Sequence, residues 1–144
     1  MQEFHGGCHC GNLRLEVRLS LAPETMQVRA CQCTFCRMHG AHSISDPKGF
    51  ARIAAARPAD VSRYRFGLKT ADFIICAKCG VYIGAVCETP SGLKAVINVN
   101  VLKDRARFTA MPQAFDYEGE DAGARLARRE ARWMPVEVTW GTNK

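Results

Sequence analysis

The stretch "GGCHCGNLRLEVRL", residues 6–19, joins a C-x-C pair flanked by glycines to a run of alternating apolar and charged residues. From Leu13 to Leu19 every second residue is aliphatic, and the residues between them are charged. A period of two is typical of a β-strand with one buried face. Gly7 and Gly11 suit the tight turn of a metal knuckle, because glycine reaches positive φ without a steric clash. The stretch therefore predicts a half-buried strand next to a pair of thiols.

Four other short runs rich in β-branched residues have the same character, and they are bounded by Gly, Pro or Ser: residues 72–76, 81–88, 94–102 and 136–140. Helical patterns are few. One turn or two is expected at residues 56–64, and a longer helix at 120–133 that ends before Pro135. No repeat or linker marks a boundary, so we expect a single domain over residues 1–144 that is mainly β, with antiparallel sheets and one or two short helices.

The composition and charge limit the cellular compartment and the partners that we expect for this protein. No apolar run approaches the roughly 18 residues that a spanning helix needs, and the start lacks a signal peptide pattern, so we expect a cytoplasmic protein without a membrane partner. The net charge of +6 could attract nucleic acid or small anions. The basic run at 124–133 is interpreted as the solvated face of a helix, and nucleic acid is not the expected partner.

Seven of the eight cysteines fall into three tight groups, Cys8 with Cys10, Cys31 with Cys33 and Cys36, and Cys76 with Cys79. Thiols in a reducing compartment at such spacing favour metal ligation over disulfides. Structural zinc takes four protein ligands, whereas catalytic zinc takes three and keeps an open position. The middle trio can supply three ligands from one loop, so the interpretation by spacing is a four-thiolate site and a three-thiolate site.

Three segments, "GGCHCGNLRLEV", "CQCTFCRMHGA" and "FIICAKCGVYIG", resemble the glutathione-dependent formaldehyde-activating enzyme family, also called the centromere protein V family, in order and separation. The resemblance covers most of residues 5–102. It implies a β-tent fold, in which small antiparallel sheets are held together by a structural zinc. It also implies two zinc ions per chain: a structural ion bound by the first and last cysteine pairs (Cys8, Cys10, Cys76 and Cys79), and a catalytic ion bound by the trio (Cys31, Cys33 and Cys36).

The activity implied by the resemblance is a carbon–sulfur lyase reaction. Glutathione or a similar small thiol would bind the catalytic zinc as thiolate and add to formaldehyde or another small aldehyde, and the reverse reaction would cleave the adduct. His39 and His42 are the candidate proton donors. At its spacing from the trio, His39 could instead be a fourth zinc ligand, which would close the site.

Arg37, beside the trio, is the candidate for binding a carboxylate of the thiol, because a guanidinium matches carboxylate geometry. Cys87 lies alone on a predicted strand and is interpreted as a small buried apolar residue. Trp133 and Trp140 are expected to anchor the core or its edge.

Two other functions stay open at the level of sequence. A non-catalytic module with two zinc ions could bind a macromolecular partner, which the excess of arginine would suit. Alternatively, the trio could hold zinc loosely and act as a redox or metal-buffering site, since clustered thiolates oxidise readily without metal.

Overall fold

The computed structural model describes residues 1–140. Eleven strands lie in this range: β1 (Gln2–Gly7), β2 (Leu13–Leu19), β3 (Arg29–Cys31), β4 (Ser43–Ile44), β5 (Phe50–Ala55), β6 (Val61–Tyr64), β7 (Asp72–Cys76), β8 (Tyr82–Thr89), β9 (Gly92–Asn98), β10 (Gln113–Phe115) and β11 (Met134–Thr139). Two α-helices accompany them, α1 (Thr34–His39) and α2 (Ala122–Arg132). The fold is mainly β, as predicted.

Strand β2 is the centre of a three-stranded antiparallel part of the sheet, with β1 on one side and β5 on the other. Its four aliphatic residues are buried, and the charged residues between them are exposed or half-buried. This confirms the half-buried strand predicted from the period of two. The buried face matters here because it fixes the register of β2, and with it the position of the turn that carries Cys8 and Cys10.

The second part of the sheet is an antiparallel meander of β6, β7, β8 and β9. The other edge of β9 is shared by β11 and β4, and β4 is followed by β3 and β10. Strand β11 links the two parts, since it pairs antiparallel with β9 at Met134 and Pro135 and parallel with β5 further along. The antiparallel prediction holds for most pairs, but β3–β10 and β5–β11 are parallel.

The main apolar core lies between these strands, and two smaller buried clusters accompany it among the described residues. Aliphatic residues from four of the strands, Leu15, Ile53, Ile83 and Ile97, are each at most 2 % exposed. Trp133 is also buried and Trp140 is half-buried against the core, as expected of anchors. None of the helices within residues 1–140 is long and apolar enough to cross a membrane.

Two local predictions hold only in part. The turn expected at residues 56–64 is present as a single 3₁₀ turn, Pro58–Asp60, but the residues after it form β6. Pairing with β7 provides a full ladder of hydrogen bonds for these residues, which outweighs a weak local helical pattern. The predicted strand at 94–102 ends at Asn98, whose side chain accepts a hydrogen bond from the Asn100 amide at 3.2 Å and starts a 3₁₀ turn.

Candidate metal centres and the adjoining cavity

Cys8, Cys10, Cys76 and Cys79 come together from two turns of the sheet, and their four sulfur atoms all lie within 4.8 Å of one another. The first pair lies in the turn between β1 and β2, and the second lies at the end of β7 and in the turn to β8. No strand pair among the described residues joins the two turns directly, because β5, β11 and β9 lie between β2 and the β7–β8 pair in the strand order. The fold thus brings together two cysteine pairs that lie far apart in the sequence.

The spacing of these sulfurs suits a tetrahedral zinc site. With a zinc–sulfur bond of about 2.3 Å, two sulfurs of a tetrahedron lie about 3.8 Å apart. The Cys8 and Cys10 sulfurs are 3.7 Å apart, and those of Cys10 and Cys76 are 3.6 Å apart. The Leu13 amide donates to the Cys8 sulfur at 3.1 Å, a contact that would stabilise a thiolate. The residues present therefore fit a zinc ion.

Burial raises the pKa of the Cys8 thiol to about 11, although the hydrogen bond from the Leu13 amide acts in the opposite direction. The pKa of Cys10 is lowered, mainly because the Asn12 amide donates to its sulfur. A set of four thiols crowded in this way cannot ionise together unless a cation compensates the charge. Metal binding is the ordinary source of that charge.

Cys31, Cys33 and Cys36 form a second group, also with sulfur atoms within 4.8 Å of one another. Cys31 ends β3, Cys33 caps the N-terminus of α1, and Cys36 lies within that helix. The Cys33 sulfur accepts a hydrogen bond from the Cys36 amide at 3.3 Å. Helix α1 then ends at Gly40, which adopts the left-handed conformation that glycine tolerates. A strand end, a cap and one helical turn thus direct three sulfurs to one point.

The trio shows the same need for a cation. Hydrogen bonding to the sulfurs of Cys31 and Cys33 raises the pKa of Cys36, and burial raises it further. The pKa of Cys33 is lowered by hydrogen bonds from Cys31 and Cys36. The three sulfurs therefore share protons with one another unless a metal ion takes the place of those protons. Both cysteine groups could hold a metal ion, and their donor sets are compatible with zinc.

A cavity of about 500 Å³ adjoins the trio, and all three of its cysteines line the wall. None of the four cysteines of the other group lies in that lining. A volume of this size is within the range of small-molecule sites. The trio is therefore open to a ligand of moderate size, which distinguishes it from the four-cysteine group.

One wall of the cavity is aromatic. Phe66, Phe73 and Tyr82 line it, and Phe35 of α1 packs against all three with ring centroids 4.8–5.5 Å apart. Tyr82 is buried beside Cys36, and burial raises its pKa well above the ordinary value. The phenol therefore keeps its proton at neutral pH.

The lining of the cavity also carries charge. Five arginines and three carboxylates line the cavity: Arg29, Arg37, Arg125, Arg128, Arg129, Asp116, Glu118 and Glu120. Arg37, predicted from the sequence, lies among them as an exposed residue whose Nε donates to the Gln32 carbonyl at 3.3 Å. Arg128 and Arg125 both form ion pairs with Glu120.

The two histidines lie elsewhere. His39 is exposed at the end of α1, with its ring 4.4 Å from that of Phe35. The Nδ1 atom of His42 is 3.3 Å from a guanidinium nitrogen of Arg105. Neither histidine is among the lining residues of this cavity, and the metal-binding group at the trio consists of the three cysteines. Their roles as proton donor or ligand stay predictions.

Cys87 is 3 % exposed on β8 and belongs to neither group. Sequence reasoning missed Tyr82, Arg29 and Arg129 as cavity residues. Tyr82 follows the last C-x-x-C pair closely, which is a usable signal. Arg129 lies in the basic run that was interpreted as a solvated helix face, but its own side chain is only 6 % exposed.

Comparison with known proteins agrees with this geometry. A crystal structure of a protein from Rhodobacter sphaeroides is 26 % identical in sequence, with a TM-score of 0.59, and the similarity covers 77 % of this chain and 99 % of that one. The family described as glutathione-dependent formaldehyde-activating enzyme matches residues 3–118, a range that includes both cysteine groups and most of the strands. The chain therefore belongs to the glutathione-dependent formaldehyde-activating enzyme family.

Proposed function

We propose that this protein is a zinc-dependent enzyme that joins a small thiol, glutathione in the first instance, to formaldehyde. The reaction forms a carbon–sulfur bond and gives an S-hydroxymethyl hemithioacetal, and its reverse cleaves that adduct. In this proposal Cys8, Cys10, Cys76 and Cys79 hold a structural zinc. Cys31, Cys33 and Cys36 hold the zinc that serves the reaction.

The observation that carries the proposal is the difference between the two cysteine groups. The trio lines a cavity of about 500 Å³, and the other group does not. A set of three ligands beside a cavity leaves a position for a substrate atom, whereas four ligands complete a tetrahedron. The family supplies a thiol and an aldehyde as the substrates that would use such a position.

The reaction requires only the formation of one carbon–sulfur bond and the transfer of one proton. When zinc is bound at the trio, it supplies the charge that lets a substrate thiol exist as thiolate near neutral pH. The sulfur electron pair forms the new bond to the formaldehyde carbon, the carbonyl π electrons move to oxygen, and one proton is taken up by that oxygen. The thiol loses one proton, so the reaction is balanced without an oxidant or reductant. The walls of the cavity hold the two reactants together, which favours their reaction.

The proton could come from Tyr82, His39 or His42. Tyr82 is the one of the three that lines the cavity, and a phenol is protonated at neutral pH. We therefore expect Tyr82→Phe to lower the rate by about 100-fold or more, as loss of a general acid does. His39→Gln and His42→Gln should lower the rate less. The opposite order would assign the proton transfer to a histidine.

The test is exchange NMR of glutathione with ¹³C-labelled formaldehyde, with and without the zinc-loaded protein. We expect the protein to accelerate exchange between free formaldehyde and the adduct. Cys31→Ser should reduce the rate to that of the uncatalysed reaction. Cys87→Ser is the control, because it also replaces a cysteine by serine but lies outside both groups.

Two results would contradict the proposal. Wild-type protein with two bound zinc ions that gives no acceleration with any thiol would exclude the activity. Equal loss of rate in Cys31→Ser and Cys87→Ser would separate the activity from the trio. In the first case, salt-dependent binding to a macromolecule would become the function to pursue.

A further inference from the structure

Arg129 places a buried positive charge in the wall of the cavity. The side chain is 6 % exposed and extends from α2 among the lining residues. Its guanidinium lies over the ring of Trp133, 4.8 Å from the centroid. The Nη1 atom donates to the Thr70 hydroxyl at 2.7 Å and to the Cys87 sulfur at 3.7 Å. The contact with Trp133 and these two hydrogen bonds therefore fix the orientation of the guanidinium.

The charge of Arg129 is not balanced by a carboxylate within residues 1–140. No ion pair in that range involves Arg129, and its buried Nε has no hydrogen-bond partner there. Arg125 and Arg128, on the same helix, both pair with Glu120. Burial lowers the pKa of Arg129, as expected for a cation removed from water. A guanidinium nevertheless stays protonated, so its burial is costly unless an anion approaches it.

Arg29 adds a second positive charge to the same cavity. It lies on β3, is half-buried, and donates from Nη2 to the Ser45 hydroxyl at 2.7 Å. Within residues 1–140 no carboxylate forms an ion pair with it either. Arg29 is two residues before Cys31, so the positive region adjoins the sulfur trio. A ligand that reaches the sulfurs therefore lies close to positive charge. That charge would attract a carboxylate on the ligand.

We propose that the arginine-lined part of the cavity binds a carboxylate of the thiol substrate, and that Arg129 determines the selection of anionic thiols over neutral ones. This inference rests on the proposed function, because it assumes that a thiol reaches the trio. Arg129 lies beyond residues 3–118, so this residue is outside the range over which the family matches. A guanidinium is suited to the role, since it donates two parallel hydrogen bonds to a carboxylate.

The first test measures binding without chemistry. S-methylglutathione keeps both carboxylates but has a blocked sulfur, and its diethyl ester lacks both negative charges. Isothermal titration calorimetry with the zinc-loaded protein should show that the acid binds about 10- to 100-fold more tightly than the ester, the range expected for hydrogen bonds to a charged group. Arg129→Gln should abolish most of this ratio, and Arg129→Lys should restore part of it.

Arg132→Gln is the matched control. It removes the same charge from the same helix, but Arg132 is exposed and does not line the cavity. We expect it to keep the wild-type ratio. A purely structural role of Arg129 would weaken binding of acid and ester alike and leave the ratio unchanged. If Arg129→Gln fails to fold, the ratio of the affinities for acid and ester in the wild type and in Arg129→Lys still tests the inference. Equal binding of acid and ester by the wild type would overturn it.

The second test separates this inference from the proposed function. Formaldehyde exchange is measured with 3-mercaptopropionate, which carries a carboxylate, and with 2-mercaptoethanol, which is neutral. A faster reaction with 3-mercaptopropionate that is lost in Arg129→Gln supports the inference. Equal acceleration of both thiols would leave the proposed function standing and refute the selection of anions. No acceleration of either thiol, with glutathione also unaccelerated, would refute the proposed function, on which the inference rests.

Discussion

Replacing Cys76 by serine should unfold the protein or bring it close to unfolding, because this residue belongs to the group that connects two distant turns. Cys76 is fully buried at the end of β7, and its sulfur is 3.6 Å from that of Cys10. Serine keeps the size of the side chain but is a poor zinc ligand. The substitution therefore removes the metal connection with little change in volume.

The magnitude follows from the length of chain that the connection closes. Cys10 and Cys76 are 66 residues apart. Cross-linking a loop of that length contributes about 4 kcal/mol through the entropy of the unfolded chain, on the scale used for disulfides. The free energy of unfolding of an ordinary domain is about 5–15 kcal/mol. We expect Cys76→Ser to lose at least about 4 kcal/mol, which is a large share of this total.

The assay combines urea denaturation, followed by far-UV circular dichroism, with zinc analysis of the purified protein. Wild type should hold about two zinc ions per chain, Cys76→Ser one or none, and Cys31→Ser one with the fold largely intact. Cys87→Ser controls for burying a hydroxyl, since Cys87 is 3 % exposed on β8. The reasoning is refuted if Cys76→Ser loses no more stability than Cys87→Ser, or if Cys31→Ser unfolds the chain to the same extent as Cys76→Ser.

Three further outcomes can be checked. Titration with a chelator should remove one zinc with little change in circular dichroism before the second leaves with unfolding, because the trio adjoins a cavity; one joint transition would contradict this. Leu15→Ala should cost about 2–5 kcal/mol in urea denaturation, since Leu15 is 2 % exposed, whereas Arg14→Ala on the other face of β2 should change stability by about 0.5 kcal/mol or less. Gly6→Ala should destabilise the protein by about 1–3 kcal/mol, because its Cβ would meet the Val101 backbone; unchanged stability would show that β1 and the 3₁₀ turn that contains Val101 move apart freely.

Much of the fold is encoded in local patterns. The alternation at residues 12–19 predicts β2 and its buried face, and the run at 72–76 coincides with β7. Helix α1 was not predicted because six residues are too few to show a helical period, and its start depends on a cysteine cap. The parallel pairing of β11 with β5 could not be read either, since it depends on which strand edges remain free after the hairpins form.

Only part of the candidate site could likewise be predicted from the sequence. The cysteine groups are recognisable because metal ligands occur at short, regular spacing, and the structure brings each group together. The arginine-lined wall has no such signal. Arg129 approaches the cavity only because α2 packs on the sheet, and within the basic run nothing local distinguishes it from the exposed Arg132. Long-range packing, rather than residue type, decides which arginine is buried.

The position of β11 in the chain has a consequence for biosynthesis. It is the last strand that the structure describes, yet β5 depends on it for a partner along one edge and β9 for part of one edge. Until the ribosome has made it, those edges remain available to other nascent chains, and unpaired edges promote aggregation. All seven clustered thiols are synthesised earlier. Metal ions could therefore bind the growing polypeptide before β11 pairs with β5 and β9. The bound metal would protect the partly folded chain from aggregation during that interval.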